Sequence, residues 1–465
     1  MECLAMLRQF IGQVQELWEL YGFPPPPPPL HHYHHHHHLQ TPQHQYQHSW
    51  CLLDLDNSSV RDGCYDLVMK ERKSGNFKML QPLMSLPPAK KPRKERYRDK
   101  MPEPASLTEI MEHRIWKEFP EDLFEAVIAR LPVATIFRFR SVCRKWNLLV
   151  DSPSFSRRYS EVPKENPWFY TIAHEHENTG AIFDPSTKKW QHPSISNLPE
   201  KVIPLPVASA GGLVCFLDIG HKNFFVCNPL TQSFKELPAR PVSVWSRIAV
   251  GMTVNRNSTT EGYKILWLGS DGEHEVYDSG KNSWTKPGGM PSSIKLPLFL
   301  NFRSQTLSID SSLYFMRADP EGIVSYDMDN GAWKQYVVPA PPHLSDHTLA
   351  ECGGKVMLVG LQTKNAATCV CIWELQKMTL LWKEVDRMPN FMCLEFYGKH
   401  IKMTCLGNKG VIMLSLRSRQ MNRVVTYDFS RREWEKVPPC ILPCGRKRPW
   451  IACGTAFHPS PTASA

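Results

Sequence analysis

An aspartate or asparagine followed six residues later by an aromatic recurs along the C-terminal part of the chain. The pairs are Asp184 and Trp190, Asn228 and Phe234, Asp278 and Trp284, Asp327 and Trp333, and Asp428 and Trp434. A sixth copy, Glu374 and Trp382, reads as a deviant with spacing eight. The residues ahead of each acid alternate or run apolar, as in "HEVYD" and "VVTYD", which is the pattern of a half-buried or buried strand. An Asp or Asn side chain can accept a hydrogen bond from the backbone two residues on and so set a turn. The aromatic then opens the return strand and supplies a large apolar surface. Each copy therefore reads as a strand–turn–strand hairpin.

The spacing between hairpins sets the architecture. Successive aromatics lie 44, 50, 49, 49 and 52 residues apart, a period of about 49. Earlier apolar strands stand in the units at 211–217, 263–269, 311–317 and 352–361. A repeat near 50 residues with this signature points to four-stranded propeller blades. A β-sandwich repeats no aromatic at such a period. Five intervals leave one blade unaccounted for, and the remainder lies at the ends. Asn166 to Trp190, with "PWFYTIAHE", supplies 25 residues; Glu435 to His458, with "WIACGTAFH", supplies 24. One blade is thus expected to draw strands from both ends, closing a six-bladed all-β ring over 166–458 without open edges.

Ahead of the repeat the chain changes character three times. Leu4, Leu7, Ile11, Val14, Trp18 and Tyr21 fall at spacings of three and four, an apolar seam for a helix over 1–22. That seam suits either docking on the chain itself or association with a partner, including self-association through residues 4–21. Residues 23–112 are low-complexity, with a proline run and a His-rich tract at 31–38. Such a segment buries too little apolar surface to fold, and the tract reads as solvated rather than as a metal site. Within it, residues 90–100, "KKPRKERYRDK", hold seven cations and two acids, half of the chain's formal charge of +10. Lys90, Lys91, Arg93, Lys94, Arg96 and Arg98 form a candidate nuclear-localisation patch, with nucleic-acid binding the weaker reading because Tyr97 is its lone aromatic. A nuclear and cytoplasmic distribution follows, with the nucleus favoured.

The string "WKEFPEDLFEAVIARLPVATIFRFRSVCRKWNLLVDSPSF", residues 116–155, predicts a small all-α module over 116–158. Pro120 suits a first helical turn, and Glu121 and Asp122 complement its dipole. Leu123, Phe124, Val127, Ile128 and Leu131 form an amphipathic stripe that Pro132 ends. A second helix carries Ile136, Phe139, Val142, Cys143 and Trp146, and a third short turn ends at "DSPSF". About forty residues cannot cover this much apolar surface alone, so one face is left for a partner.

Several classes are set aside on the residues. HExxH, GxSxG, GxxxxGK[ST] and GxGxxG are missing, so no catalytic, phosphate or dinucleotide motif is present. "HEHE" (174–177) and "HLSDH" (343–347) lack a third ligand in reach, so no metal or cofactor is expected. Fourteen cysteines without a CxxC pair suit reduced thiols. No apolar run reaches about 18 residues, and no signal-peptide pattern opens the chain, so no membrane association is expected.

The helical string resembles the F-box: Phe119-Pro120-x-Asp122-Leu123, Leu131-Pro132, "RFRSVCRKW" and "DSPSF", with Phe119 where leucine is usual. With Gly211-Gly212 and Gly353-Gly354 as partial double-glycine signatures, the whole is similar to plant F-box/kelch-repeat proteins. That resemblance implies a substrate-recognition subunit of an SCF ubiquitin ligase, a non-catalytic adaptor docking on a Skp1-like protein and through it on cullin and RING subunits. It implies Skp1 contacts at Phe119, Pro120, Leu123, Ile128, Leu131, Pro132, Val142, Cys143 and Trp146. The alternative is a Skp1-bound scaffold or ligand-binding propeller that degrades nothing. Short Asp turns suit a structural rim, and the loops of the opposite side suit recognition. There Arg417, Arg419 and Arg423, then Arg446, Lys447, Arg448 and Trp450, form a basic quadrant for an acidic or phosphorylated protein substrate, with Trp245 and Arg247 as weaker candidates.

Overall fold

The structure, a computed structural model, describes residues 120–465 apart from 143, 164–165, 173–179, 194–203, 219–222, 241–247, 256–261, 270–271, 295–305, 319–320, 365–366, 442–444, 446–450 and 452. The expected helix at 1–22, the low-complexity region 23–112 and the basic patch 90–100 lie outside the described residues.

Four short helices come first: α1 (Glu121–Ile128), α2 (Val133–Val142), α3 (Arg144–Val150) and α4 (Pro153–Glu161). The string "DSPSF", expected to end the third turn, starts α4 instead. Ser152 is the N-cap, its Oγ accepting from the Phe155 amide at 3.1 Å, and Pro153 fills the first turn. Ile128, Leu131, Ile136, Phe139, Val150 and Phe155 are buried. Trp146 stacks on Phe139 with ring centroids 4.6 Å apart and tilts against Phe124 at 5.8 Å. Glu125 ties α1 to α4: Ser154 Oγ donates to it at 2.8 Å, and Arg158 Nε lies 3.4 Å away.

The rest is a six-bladed propeller. Blade 1 has the strand order Cys453–Phe457, Trp168–Ile172, Ala181–Asp184, Lys189–Gln191, so its innermost strand comes from the C-terminus and the other three from the N-terminal side. Five residues pair antiparallel across the junction, from Trp168 with Phe457 to Ile172 with Cys453. Blades 2, 3 and 4 are four-stranded sheets with consecutive strands, and blades 5 and 6 join into one eight-stranded sheet through Glu351 and Lys409.

The hairpins follow the repeat closely. Asp184 Oδ1 accepts from the Ser186 amide, Asn228 Oδ1 from Leu230, Asp278 Oδ1 from Gly280, Asp327 Oδ1 from Asp329 and Asp428 Oδ1 from Ser430, at 2.8–3.0 Å. Four residues after each acid the backbone is left-handed, at Lys188, Gln232, Asn282, Gly331 and Arg432. The blade 5 copy is corrected by the same geometry. Leu380 is left-handed there and its amide bonds the Gln376 carbonyl at 2.8 Å, so Gln376, not Glu374, holds the turn position. Trp382 then follows at the regular spacing of six. Each aromatic pairs with the residue before the turn, giving ring centroids 5.0 Å apart for Phe183–Trp190, 5.4 Å for Tyr277–Trp284, 4.6 Å for Tyr326–Trp333 and 4.7 Å for Tyr427–Trp434. Such pairs add about 0.5–1.5 kcal/mol beyond the area they bury.

Contacts between blades use the same residues. Trp190 Nε1 donates to the Pro438 carbonyl of blade 6 at 2.8 Å, and Trp284 Nε1 donates to Pro238 beside blade 2 at 2.9 Å. Arg240 and Glu275 form a buried ion pair at 2.7 Å, with the guanidinium 3.6 Å from the Trp267 ring. Burial is the main influence on Arg240 and lowers its pKa, opposed by the bond to Glu275.

Glycine permits the close approach of blades 6 and 1. A Cβ at Gly407 would lie 2.5 Å from a Phe169 ring carbon and 2.7 Å from the Ala456 Cβ. Gly407→Ala is expected to destabilise the propeller by about 1–3 kcal/mol through overpacking. Gly288→Ala, where a Cβ meets nothing within 4 Å, serves as control and should leave stability within about 0.5 kcal/mol. Denaturant unfolding of the two variants checks the pair; equal midpoints would show that the blade 6–1 seam tolerates the methyl.

Candidate protein-recognition surfaces

In each blade the first strand lies innermost, and directions alternate outward. One side of the ring therefore carries the turns between strands one and two and the Asp turns; the opposite side carries the remaining connections. The helical module meets the Asp-turn side. Tyr159 of α4 donates its hydroxyl to the Pro459 carbonyl at 3.1 Å. The tail after His458 continues past the expected domain end. Asn228, while capping its own turn, donates through Nδ2 to the Ser460 and Ala463 carbonyls, each at 2.9 Å. Module, tail, the first turn of blade 2 and the strand ends of blade 3 line a cavity of about 510 Å³, with Leu131, Tyr159, Gly212, Tyr263 and Ser460 on its wall.

The expected Skp1-contact residues divide by burial. Ile128 and Leu131 are core residues, 0% and 3% exposed, so they support the surface from beneath; the helix turns them inward while Leu123 is 51% exposed. Pro120 and Pro132 are exposed and Trp146 is half-buried. Phe119 and Cys143, and the side chain of Val142, lie outside the described residues. Leu148, 69% exposed on α3, was not singled out from the sequence. Its only signal is the doublet Leu148-Leu149, whose side chains point about 100° apart, so that one of the two is turned further from the core.

Of the expected basic quadrant, Arg417, Arg419 and Arg423 stand on the opposite side, and the last is corrected. Arg417 ends the strand Val411–Arg417, and Arg419 lies in the hairpin that follows; both are exposed. Arg423 is not a free cation: its Nε lies 2.9 Å from Glu395 Oε2, and Lys436 bonds the other oxygen of that carboxylate. The Lys436 and Arg423 bonds hold the Glu395 carboxyl below its ordinary range. No acid stands within four residues of Arg423 in the sequence; the fold brings one from 28 residues away. Arg446, Lys447, Arg448, Trp450, Trp245 and Arg247 lie outside the described residues.

Glu395 belongs to a feature that the sequence reading passed over. Between blades 5 and 6 stand a helical turn, α5 (Asn390–Cys393), and a 3₁₀ turn, Leu394–Phe396. Met392 and Phe396 are buried in the core of these blades. Cys393 Sγ donates to the Met388 carbonyl at 3.3 Å and lies 3.3 Å from Cys369 Sγ. The available signal was the 52-residue step from Trp382 to Trp434, the longest in the repeat, together with Pro389 as a helix starter.

The metal candidates are placed as follows. "HEHE" lies outside the described residues. "HLSDH" falls largely within the strand Leu344–Cys352 rather than in a loop, with Asp346 Oδ2 accepting from the Met403 amide at 2.7 Å. At the pore the inner strands bond one another. Lys409 Nζ donates to the Ser209 carbonyl at 2.7 Å, Ser209 Oγ to the Ala456 carbonyl, and Asn408 Nδ2 to the Leu349 carbonyl at 3.2 Å.

Comparisons with known proteins agree with both halves. Residues 116–158 match the F-box domain model, and residues 191–437 match the model described as "F-box protein At3g26010-like, beta-propeller". The chain is 64% identical over 475 residues to "F-box only protein 6" of Arabidopsis thaliana, covering 100% of both chains. It is 26% identical to "Protein UNUSUAL FLORAL ORGANS" of Arabidopsis thaliana, over 72% of this chain and 81% of that one. It is 24% identical to "Protein ABERRANT PANICLE ORGANIZATION 1" of Oryza sativa subsp. japonica, over 72% and 85%. The helical module carries an F-box match and the ring after it a propeller match, so the chain belongs to the F-box proteins that carry a β-propeller.

Proposed function

We propose that this chain is the substrate-recognition subunit of an SCF ubiquitin ligase, its F-box held by a Skp1-like protein and its propeller offering a protein substrate. The observation that carries the reading is the division of the molecule into two sides. Leu123 and Leu148 project from the helical module, 51% and 69% exposed, where unpartnered apolar surface calls for a protein. The side of the ring away from that module holds connections of unequal length, and recognition residues concentrate on such loops. Ubiquitin transfer takes place on partner subunits, so the chain requires no catalytic group of its own.

The Skp1 surface is assigned to Pro120, Leu123, Pro132 and Leu148, with Trp146 behind them. Leu131→Ala is a poor test of it, because removing a buried leucine costs about 2–5 kcal/mol of folding stability by itself. Leu123→Glu with Leu148→Glu changes only exposed positions. Losing the burial of each leucine forfeits roughly 1.5–3 kcal/mol, so Skp1 capture should fall at least about tenfold per site. Co-purification with Skp1, alongside an unchanged thermal unfolding midpoint, checks this. Undiminished capture would remove the assignment.

Nuclear entry is assigned to residues 90–100 on their charge alone. Replacing Lys90, Lys91, Arg93 and Lys94 by Ala should lower the nuclear fraction of a fluorescent fusion, and an unchanged fraction would make the stretch a solvated linker.

A further inference from the structure

We propose that the insert between blades 5 and 6 is a docking ridge for an acidic segment of a partner protein that carries aromatic or aliphatic anchors. Phe391, Leu394 and Tyr397 are 67%, 71% and 61% exposed. They stand three residues apart through a helical turn and a 3₁₀ turn, and residues i and i+3 are neighbours on a helical surface. The three therefore line one edge. Met392 and Phe396 turn the other way, 2% and 3% exposed, and root the insert in the core of blades 5 and 6. A single exposed apolar side chain needs no explanation, whereas three on one rooted insert mark an interaction surface.

Charge selects the partner. Lys399, Arg423 and Lys436 bond the insert at Glu395, and Lys402, Arg417 and Arg419 stand exposed on the same side of blade 6; the carboxylates on this side include Glu395 and Asp346. Both carboxylates are engaged: Glu395 holds Arg423 and Lys436, and Asp346 accepts the Met403 amide. Lys402 and Arg417 face each other directly across their antiparallel strands, and both are exposed. At the foot of the insert a hollow of about 280 Å³ is lined by Ser345, Thr363, Thr368, Lys399 and His400. Its hydroxyls and its lysine suit an acidic or polar side chain next to an apolar anchor. The ridge lies on the side of the ring away from the F-box, where a docked segment leaves the Skp1 surface open.

The inference rests on the receptor reading only in that the segment would belong to a substrate, and the test keeps the two apart. Random 16-residue peptides displayed on phage are panned against the full chain bound to Skp1, and a selected peptide is measured by fluorescence anisotropy. The expected peptides carry two or three aromatic or aliphatic residues among aspartates and glutamates. Their binding should fall at least tenfold in a variant with Phe391, Leu394 and Tyr397 all changed to Ala. It should fall likewise in Lys402→Glu with Arg417→Glu, and weaken as salt rises. Skp1 capture by both variants should stay unchanged. Neutral or basic peptides, or acidic peptides that bind both variants as well as the wild type, would overturn the ridge as the site. A wild-type dimer in light scattering that becomes monomeric in the triple-Ala variant would overturn it too, because the ridge would then meet a second copy of the chain. Loss of Skp1 capture by Leu123→Glu with peptide binding intact would leave the proposal standing. Retention of that capture would count against the Skp1 assignment alone.

Discussion

Everything in this molecule depends on one strand pairing, Cys453–Phe457 against Trp168–Ile172. A propeller whose first and last blades do not pair presents open edges, and exposed edge strands invite association with other chains. Here the closing strand is also the innermost strand of blade 1, so it packs between its neighbours in the ring rather than lying on the rim. The close contact of Gly407 with Phe169 and Ala456 belongs to the same seam. Closure fixes more than the ring. It brings the chain in from the F-box and out through the tail on a single side, where Tyr159 meets Pro459 and Asn228 holds Ser460 and Ala463.

The consequence is a molecule with two unlike sides. On the Asp-turn side, short and similar turns support the F-box module and the tail. On the other side, connections vary in length and content, and one of them grew into the rooted insert at 390–396. The Glu395 carboxylate shows how strongly this side depends on the fold. It ties the insert to Arg423 and Lys436 of blade 6, converting Arg423 of an apparently free basic loop into a structural partner.

The ring was legible in the sequence because the Asp turn and its aromatic are local chemistry. A side chain bonding the amide two residues on, and an aromatic stacked across the hairpin, leave a fixed spacing that survives blade by blade. Blade 5 hid its copy because Gln376 does not advertise a turn; the left-handed Leu380 four residues later reveals it. The F-box was legible as a motif, but which leucines face outward was not. Burial of Ile128 and Leu131 against exposure of Leu123 and Leu148 follows from how α1, α2, α3 and α4 pack, and an apolar stripe does not report that. Ser152 and Pro153 did carry the start of α4 in plain chemistry, as a cap followed by a proline, and their place at the end of a known motif masked it. The pairing of Arg423 with Glu395 lay beyond reach, because it joins residues 28 apart through an insert that no repeat encodes.

The central claim is that one side of this molecule holds a ligase while the other delivers a protein to it. Affinity purification of the full chain with and without proteasome inhibition, followed by quantification of ubiquitin-modified lysines on the captured proteins, tests that most directly. The account predicts a set of proteins that accumulates only under inhibition and carries ubiquitin. An identical, unmodified set under both conditions, captured together with Skp1, would contradict it and make the chain a scaffold that degrades nothing.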